Sequence, residues 1–190
     1  ILASKSGVRK KILDDHGVDS EVVVSNVDED EIKISLLSEG ADPLSISKNL
    51  AEIKSIKVSN KNPDKLVLGA DSVISLNNDL INKPRSREEA FSILKKLNNS
   101  KHYLISSVCI SKNGFMIWNY TDKATLTMKK MKENELISYL KNIKDEALYS
   151  YNVYQIEGEG KKLFSNIEGD EDTIMGLPVK KIKEYLNNIN

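Results

Sequence analysis

The side chains that could do chemistry sit in short segments far apart in the chain. They are Ser4, Ser6 and Arg9 at the start, Glu29, Lys54, Asp71 and Lys83 further on, and Glu157 in the stretch Glu157-Gly158-Glu159-Gly160. Hydroxyls and cations suit a phosphate, and carboxylates suit a hard divalent cation. Ser4-Lys5-Ser6-Gly7-Val8-Arg9 reads as a strand end turning into a helix, so that free N–H groups and the positive helix end face an anion, with Arg9 as a two-pronged donor. It is not a P-loop, because Gly-x-x-x-x-Gly-Lys is missing. Asp71 follows Gly69 inside the apolar run Val67 to Ile74, at a kink or strand end. A carboxylate there is costly unless it is paired or bound to metal, which makes magnesium or manganese on Asp71 and Glu29 the implied cofactor. Lys83 is flanked by Asn82 and by Pro84, which restricts its backbone. Each feature also has a plain reading: a capped helix, a turn aspartate, a solvated acidic run, surface lysines, a simple glycine turn.

The elements that must position these groups follow from periodicity. Val8 to His16 reads as a short helix, Glu21 to Ser25 as a strand, and Asp42-Pro43 as the opening of a helix continued by Leu50, Ile53 and Ile56. Leu66 to Ile74 is a buried strand, broken at Gly69-Ala70-Asp71-Ser72. Asn77-Asn78 is a turn, and Ser86 with Glu89 forms a capping box before the apolar face Ala90, Ile93, Leu94 and Leu97. Tyr103 to Ile110 and Phe115 to Met128 flank the hairpin signal Asn113-Gly114. Two further helices centre on Leu136 to Ile143 and on Val179 to Leu186. Helices alternating with strands, plus a hairpin, predict an α/β fold with a mixed sheet.

The chain has 190 residues, 39% of them hydrophobic, enough for one domain or two closely joined lobes. Lys+Arg and Asp+Glu both number 28, a balance unlike that of a protein gripping long nucleic acid. With one cysteine, Cys109, in an apolar run, and only His16 and His102, a disulfide or a zinc site is not expected. No segment reads as membrane-spanning or as a signal peptide, so a cytoplasmic setting is expected, and Ile1-Leu2-Ala3 is read as the end of a strand.

The ordered set of motifs resembles the Maf family of nucleoside triphosphate pyrophosphatases from Leu2 to about Leu186. Leu2-Ala3-Ser4-Lys5-Ser6-Gly7-Val8-Arg9 matches the family opening except that Gly7 replaces Pro. Val27-Asp28-Glu29, Leu50-Ala51-Glu52-Ile53-Lys54, Gly69-Ala70-Asp71-Ser72, Asn82-Lys83-Pro84 and Gly176-Leu177-Pro178 follow in the family order. The resemblance implies one Maf-like domain over residues 1–190, with a bent mixed sheet flanked by helices and two lobes around a central cleft. It implies cleavage between the α- and β-phosphates and a divalent cofactor. Asp71 matches the proton acceptor, Ser4, Arg9, Lys54 and Lys83 the phosphate site, and Glu29 a metal carboxylate. It also implies a link to septum formation and a homodimer as an option, with no nucleic-acid or membrane partner.

Val8, Ser72 and Glu157 fall at the positions where branches of the family differ. Arg, Thr and Gln accompany a preference for dTTP and UTP; Trp, Gln and Glu accompany 7-methyl-GTP. The present set is a mixture whose loop, Tyr154 to Gly160, lies closer to the second. A carboxylate only accepts hydrogen bonds, which favours the N–H edge of guanine and the charge of its 7-methyl form. Three alternatives stand beside this reading: a non-catalytic nucleotide-binding regulator, a pyrimidine-preferring or inosine-triphosphate-type pyrophosphatase, and an RNA-binding module.

Overall fold

The two faces of strand β1 (Val67–Leu76) organise the molecule. In the computed structural model, which describes residues 1–189, β1 runs unbroken between β2 (Asp79–Ile81) and β3 (Lys101–Lys112). Then come β4 (Phe115–Met128) and β5 (Phe164–Glu168), giving the order β2-β1-β3-β4-β5 with every neighbouring pair antiparallel. Among the described residues, parallel pairing is confined to single bridges from Leu2 to Val22 and to Leu68. The α/β class stands, and the stretch Glu21 to Ser25 contributes only that one bridge rather than a strand. Bulges at Ile110/Ser111 and Thr127/Met128 bend the sheet.

The turns follow their residues. Asn77 and Asn78 have φ of 52° and 69°, and Asn113 and Gly114 of 52° and 80°. Left-handed pairs of this kind close two-residue hairpins whose twist matches the strands. Asp42 caps α3 (Pro43–Ser59) and Ser86 caps α4 (Arg87–Leu97) as their types predict. The Glu89 carboxylate reaches the Arg85 N–H rather than that of Ser86, so the capping box is displaced by one residue.

One face of β1, carrying Gly69, Asp71 and Val73, meets α3. A Cβ on Gly69 would lie 2.1 Å from the Ala51 carbonyl oxygen, so glycine is what lets the helix touch the strand backbone. The expected kink at Gly69 is therefore corrected: the glycine serves close approach, not bending. The buried face of α3 is Ile46, Ser47, Leu50, Ala51, Lys54, Ser55 and Val58, more polar than the Leu50, Ile53, Ile56 stripe expected.

The opposite face is divided. Leu68 and Ala70 of β1 with Val108 and Ile110 of β3 pack against α1 (Gly7–Asp15) and α8 (Val179–Ile189). Ile74, Leu104, Ala124 and Leu126 pack against α4 and α5 (Glu133–Asn142). Between them runs a polar row of register partners, Ser72, Ser106 and Asp122, crossing three strands. Two apolar patches separated by a polar line on one sheet are the two lobes. The short helix α7 (Glu171–Ile174) lies over the row, Thr173 accepting from Ser106 Oγ (2.8 Å) and donating to Asp122 (2.7 Å). The remaining helices are α2 (Glu29–Ser38), beside α3, α6 (Asp145–Tyr151) and a 3-10 turn at Glu159–Leu163.

Candidate active site

Asp71 and Ser72 line a cavity of about 650 Å³ that runs between the lobes. Every residue singled out in the sequence lines it: Ser4, Ser6, Val8, Arg9, Glu29, Lys54, Asp71, Ser72, Lys83 and Glu157. They come from α1, α2, α3, β1, the segment after β2 and the loop after α6.

The charged end is assembled by α3 against β1. Asp71 is two residues beyond Gly69 and so on the same face, and Lys54 is one helical turn beyond Ala51. Lys54 Nζ lies 2.8 Å from Asp71 Oδ1 and 2.8 Å from Glu29 Oε1. Lys54 and Asp71 are each only 5% exposed. Asp71 Oδ2 is buried and has no partner among the described residues. Glu29 opens α2 behind the Asp28 cap, so the helix end also favours its charge. Burial pushes the Glu29 carboxyl up, but Lys54, with Lys33 and Lys83, outweighs it and holds the group below the usual range. Lys83 projects into the cavity without a hydrogen bond or ion pair among the described residues. Desolvation lowers its pKa, and Arg9 and Lys33 add to this while Glu29 and Asp71 oppose it.

Arg9 is engaged by protein groups. Its Nε donates to the Gly176 carbonyl (2.9 Å), Nη1 to Ala70 O (3.1 Å) and Ser4 Oγ (3.3 Å), and Nη2 to Ser72 Oγ (3.1 Å). Four of five guanidinium N–H groups are thus committed to the protein, and a two-pronged grip on phosphate is not available in this arrangement. Ser6 Oγ caps α1 by accepting from the Arg9 N–H, and Ser4 Oγ accepts from the Ser6 N–H. Because Ser106 spends its hydroxyl proton on Thr173 O, Ser72 must donate to Ser106 across their 2.8 Å contact. Arg9, Ser72, Ser106 and Thr173 therefore form one directed chain. Gly176 closes it at φ +104°, with its missing Cβ only 3.1 Å from Ser72 Oγ.

The other end of the cavity is a loop. Tyr154, Gln155, Ile156 and Glu157 line it, with Asn152 and Met175. Glu157 is exposed and makes no hydrogen bond among the described residues. Asn152 holds φ 76°, ψ −165°, a region that side-chain-bearing residues rarely occupy. Its Oδ1 accepts from the Val153 N–H (2.9 Å). Asn152, the Ser106–Thr173–Asp122 network and Lys33 were not singled out from the sequence. Serines inside strands carry no periodic signal, and nothing local marks their alignment across three strands.

Among the described residues no group of three or more His, Cys, Asp or Glu side chains could hold a metal ion. The residues present nonetheless fit a magnesium-like ion, which commonly takes one or two carboxylates and leaves its other positions to water and phosphate. The open Asp71 Oδ2 is the atom such an ion would satisfy.

The chain belongs to the Maf-like protein family, which matches residues 1–189. It is 66% identical over 189 residues to a nucleoside triphosphate pyrophosphatase of Pelagibacter ubique, covering all of this chain and 97% of that protein. It is 40% identical over 185 residues to the enzyme of that name from Caulobacter vibrioides, covering 97% and 92%. It is 36% identical over 179 residues to a 7-methyl-GTP pyrophosphatase of Brucella abortus, covering 94% and 90%. A distant similarity to the Staphylococcus aureus Ham1 protein (17% identity, TM-score 0.38) covers 70% of this chain and 71% of that one.

Proposed function

We propose that the chain hydrolyses nucleoside triphosphates to a nucleoside monophosphate and pyrophosphate with a divalent cation. The observation that carries this is the buried Lys54–Asp71 pair joined to the partly exposed Glu29, with Lys83 lining the same cavity. Membership of the family and the names of the relatives support the same reading. Magnesium or manganese, held by Asp71 and Glu29, would supply charge neutralisation on the phosphate oxygens.

The protein's own residues do the rest. Asp71 lines the cavity, its Oδ2 has no partner among the described residues, and it can take the proton of an attacking water. The water oxygen bonds to the α-phosphorus, the bond from that phosphorus to the bridging oxygen breaks, and pyrophosphate leaves with the electron pair. Lys83, and Lys54 where phosphate draws it from the carboxylates, meet the charge that gathers on the leaving group. The Ser4–Ser6 turn offers the N-terminal end of α1. Arg9 fixes the wall around Ser72 rather than carrying the phosphate.

For the base, Glu157 favours a guanine edge, including its 7-methyl form, because the carboxylate can accept two N–H donors. Val8 offers no aromatic face and packs partly into the α1–α8 core. The test is pyrophosphate release from dTTP, UTP, GTP and 7-methyl-GTP with magnesium or manganese. Asp71→Asn should lower kcat by about 10²–10⁴-fold while leaving the chain folded at the assay temperature by circular dichroism. Release at the wild-type rate by that variant would overturn the assignment of Asp71, and a pyrimidine preference would overturn the base.

A further inference from the structure

We infer that Lys54 is a resident counter-ion of the Glu29–Asp71 pair, which keeps a free divalent cation off the carboxylates until a nucleotide arrives. The inference rests on the metal-dependent reading above and adds an order of binding to it. Nζ lies 2.8 Å from one oxygen of each carboxylate, so an ion bridging those two oxygens would claim the volume the ammonium already fills. An ion on the open Asp71 Oδ2 would lie within one carboxylate's width of the same positive charge. The ammonium cannot simply swing into water, because Lys54 is 5% exposed and its stem runs along the buried face of α3, where Gly69 lets that helix sit directly on β1. Lys54, Glu29 and Asp71 all line the cavity, which gives the ammonium a place to move.

A triphosphate in that cavity changes the balance in two ways. It offers Lys54 a new anionic partner, and it brings negative charge that offsets the repulsion between the ammonium and the metal. Metal and nucleotide then promote each other's binding, as any coupled pair must in equal measure. The two carboxylates meanwhile stay positioned in the empty protein.

The experiment is a titration with manganese alone, read by the electron paramagnetic resonance of free Mn²⁺, on the wild type, Lys54→Met and Lys54→Gln. It is repeated with a non-hydrolysable α,β-methylene triphosphate, with corrections for binding to the analogue itself. Both variants should bind Mn²⁺ alone about tenfold or more tightly than the wild type. The wild type should gain about tenfold from the analogue, and the variants much less. Equal affinity for Mn²⁺ alone in all three proteins overturns the inference. Should neither variant fold, as judged by circular dichroism, the wild type decides: no gain with the analogue overturns it. The titration does not read turnover, so a wild type that releases no pyrophosphate would sink the hydrolase reading without deciding this one.

Discussion

At one end of the cavity, Lys54, Asp71, Arg9 and Ser72 are tied to three different elements by contacts of 2.8–3.3 Å. At the other, Glu157 stands on a loop after α6 with no partner among the described residues. The first arrangement leaves little freedom and suits chemistry, where a misplacement of an ångström costs rate. The second leaves a polar tip free to exchange partners and suits discrimination among bases, where single hydrogen bonds decide. On the proposed function, chemistry is built on the sheet and selectivity on the loop.

The largest effect should come from adding one methyl at the rigid end. Gly69→Ala would place a Cβ 2.1 Å from the Ala51 carbonyl oxygen, pushing α3 off β1 and Lys54 away from Asp71. A loss of about 3 kcal/mol, or roughly 6–12 °C in Tm, is expected, with pyrophosphate release falling alongside. Gly158→Ala in the loop, whose nearest atom is 4.0 Å away, should melt within about 2 °C of the wild type. Similar losses from both would erase the contrast between the two ends.

A second test concerns the wall that supports the loop. His102 is fully buried, 2.9 Å from the Tyr154 hydroxyl, and desolvation lowers its pKa to about 4 from the ordinary 6.5. Below pH 6.5 the unfolded chain takes up a proton that the folded chain refuses, so stability should fall with pH down to about 4, by up to ~3 kcal/mol. His102→Phe should flatten this part of a Tm-against-pH curve. An unchanged slope would place the acid sensitivity elsewhere. Glu29 acts in the same direction over a lower window: its pKa is held below the usual value, so its contribution is present above that value and lost as pH falls through the depressed one.

The smallest effect belongs to the loop itself. Glu157→Gln keeps the shape but turns an acceptor-only group into one that also donates. The ratio of kcat/KM between GTP and dTTP should shift by about fivefold, worth roughly 1 kcal/mol, with Tm unchanged. A loss of activity on all nucleotides alike would place Glu157 in the chemistry rather than in selection.

How much of this was legible in the sequence follows from range. Caps and turns are local, so Asp42-Pro43, Ser86, Asn77-Asn78 and Asn113-Gly114 announced themselves. The candidate site residues were legible as an ordered set because their order matches a family, and all of them line one cavity. What Arg9 touches was not legible. Its partners Ala70, Ser72 and Gly176 lie up to 167 positions away, and a cation facing carbonyls reads locally like one facing phosphate. The unbroken course of β1 was also missed, because glycine signals both bends and close contacts, and only the neighbouring helix decides which. Strand β5 and the short helices α6 and α7 carry too few residues for a period to emerge.

The line of Ser72, Ser106 and Asp122 across the sheet has a mechanical corollary. Strands β1, β3 and β4 run straight through it, so the halves on either side share a continuous backbone instead of a flexible linker. Widening the gap between them has to flex three hydrogen-bonded strands at once. The width of the cleft is thereby set by sheet curvature, and a nucleotide meets jaws of nearly fixed gape.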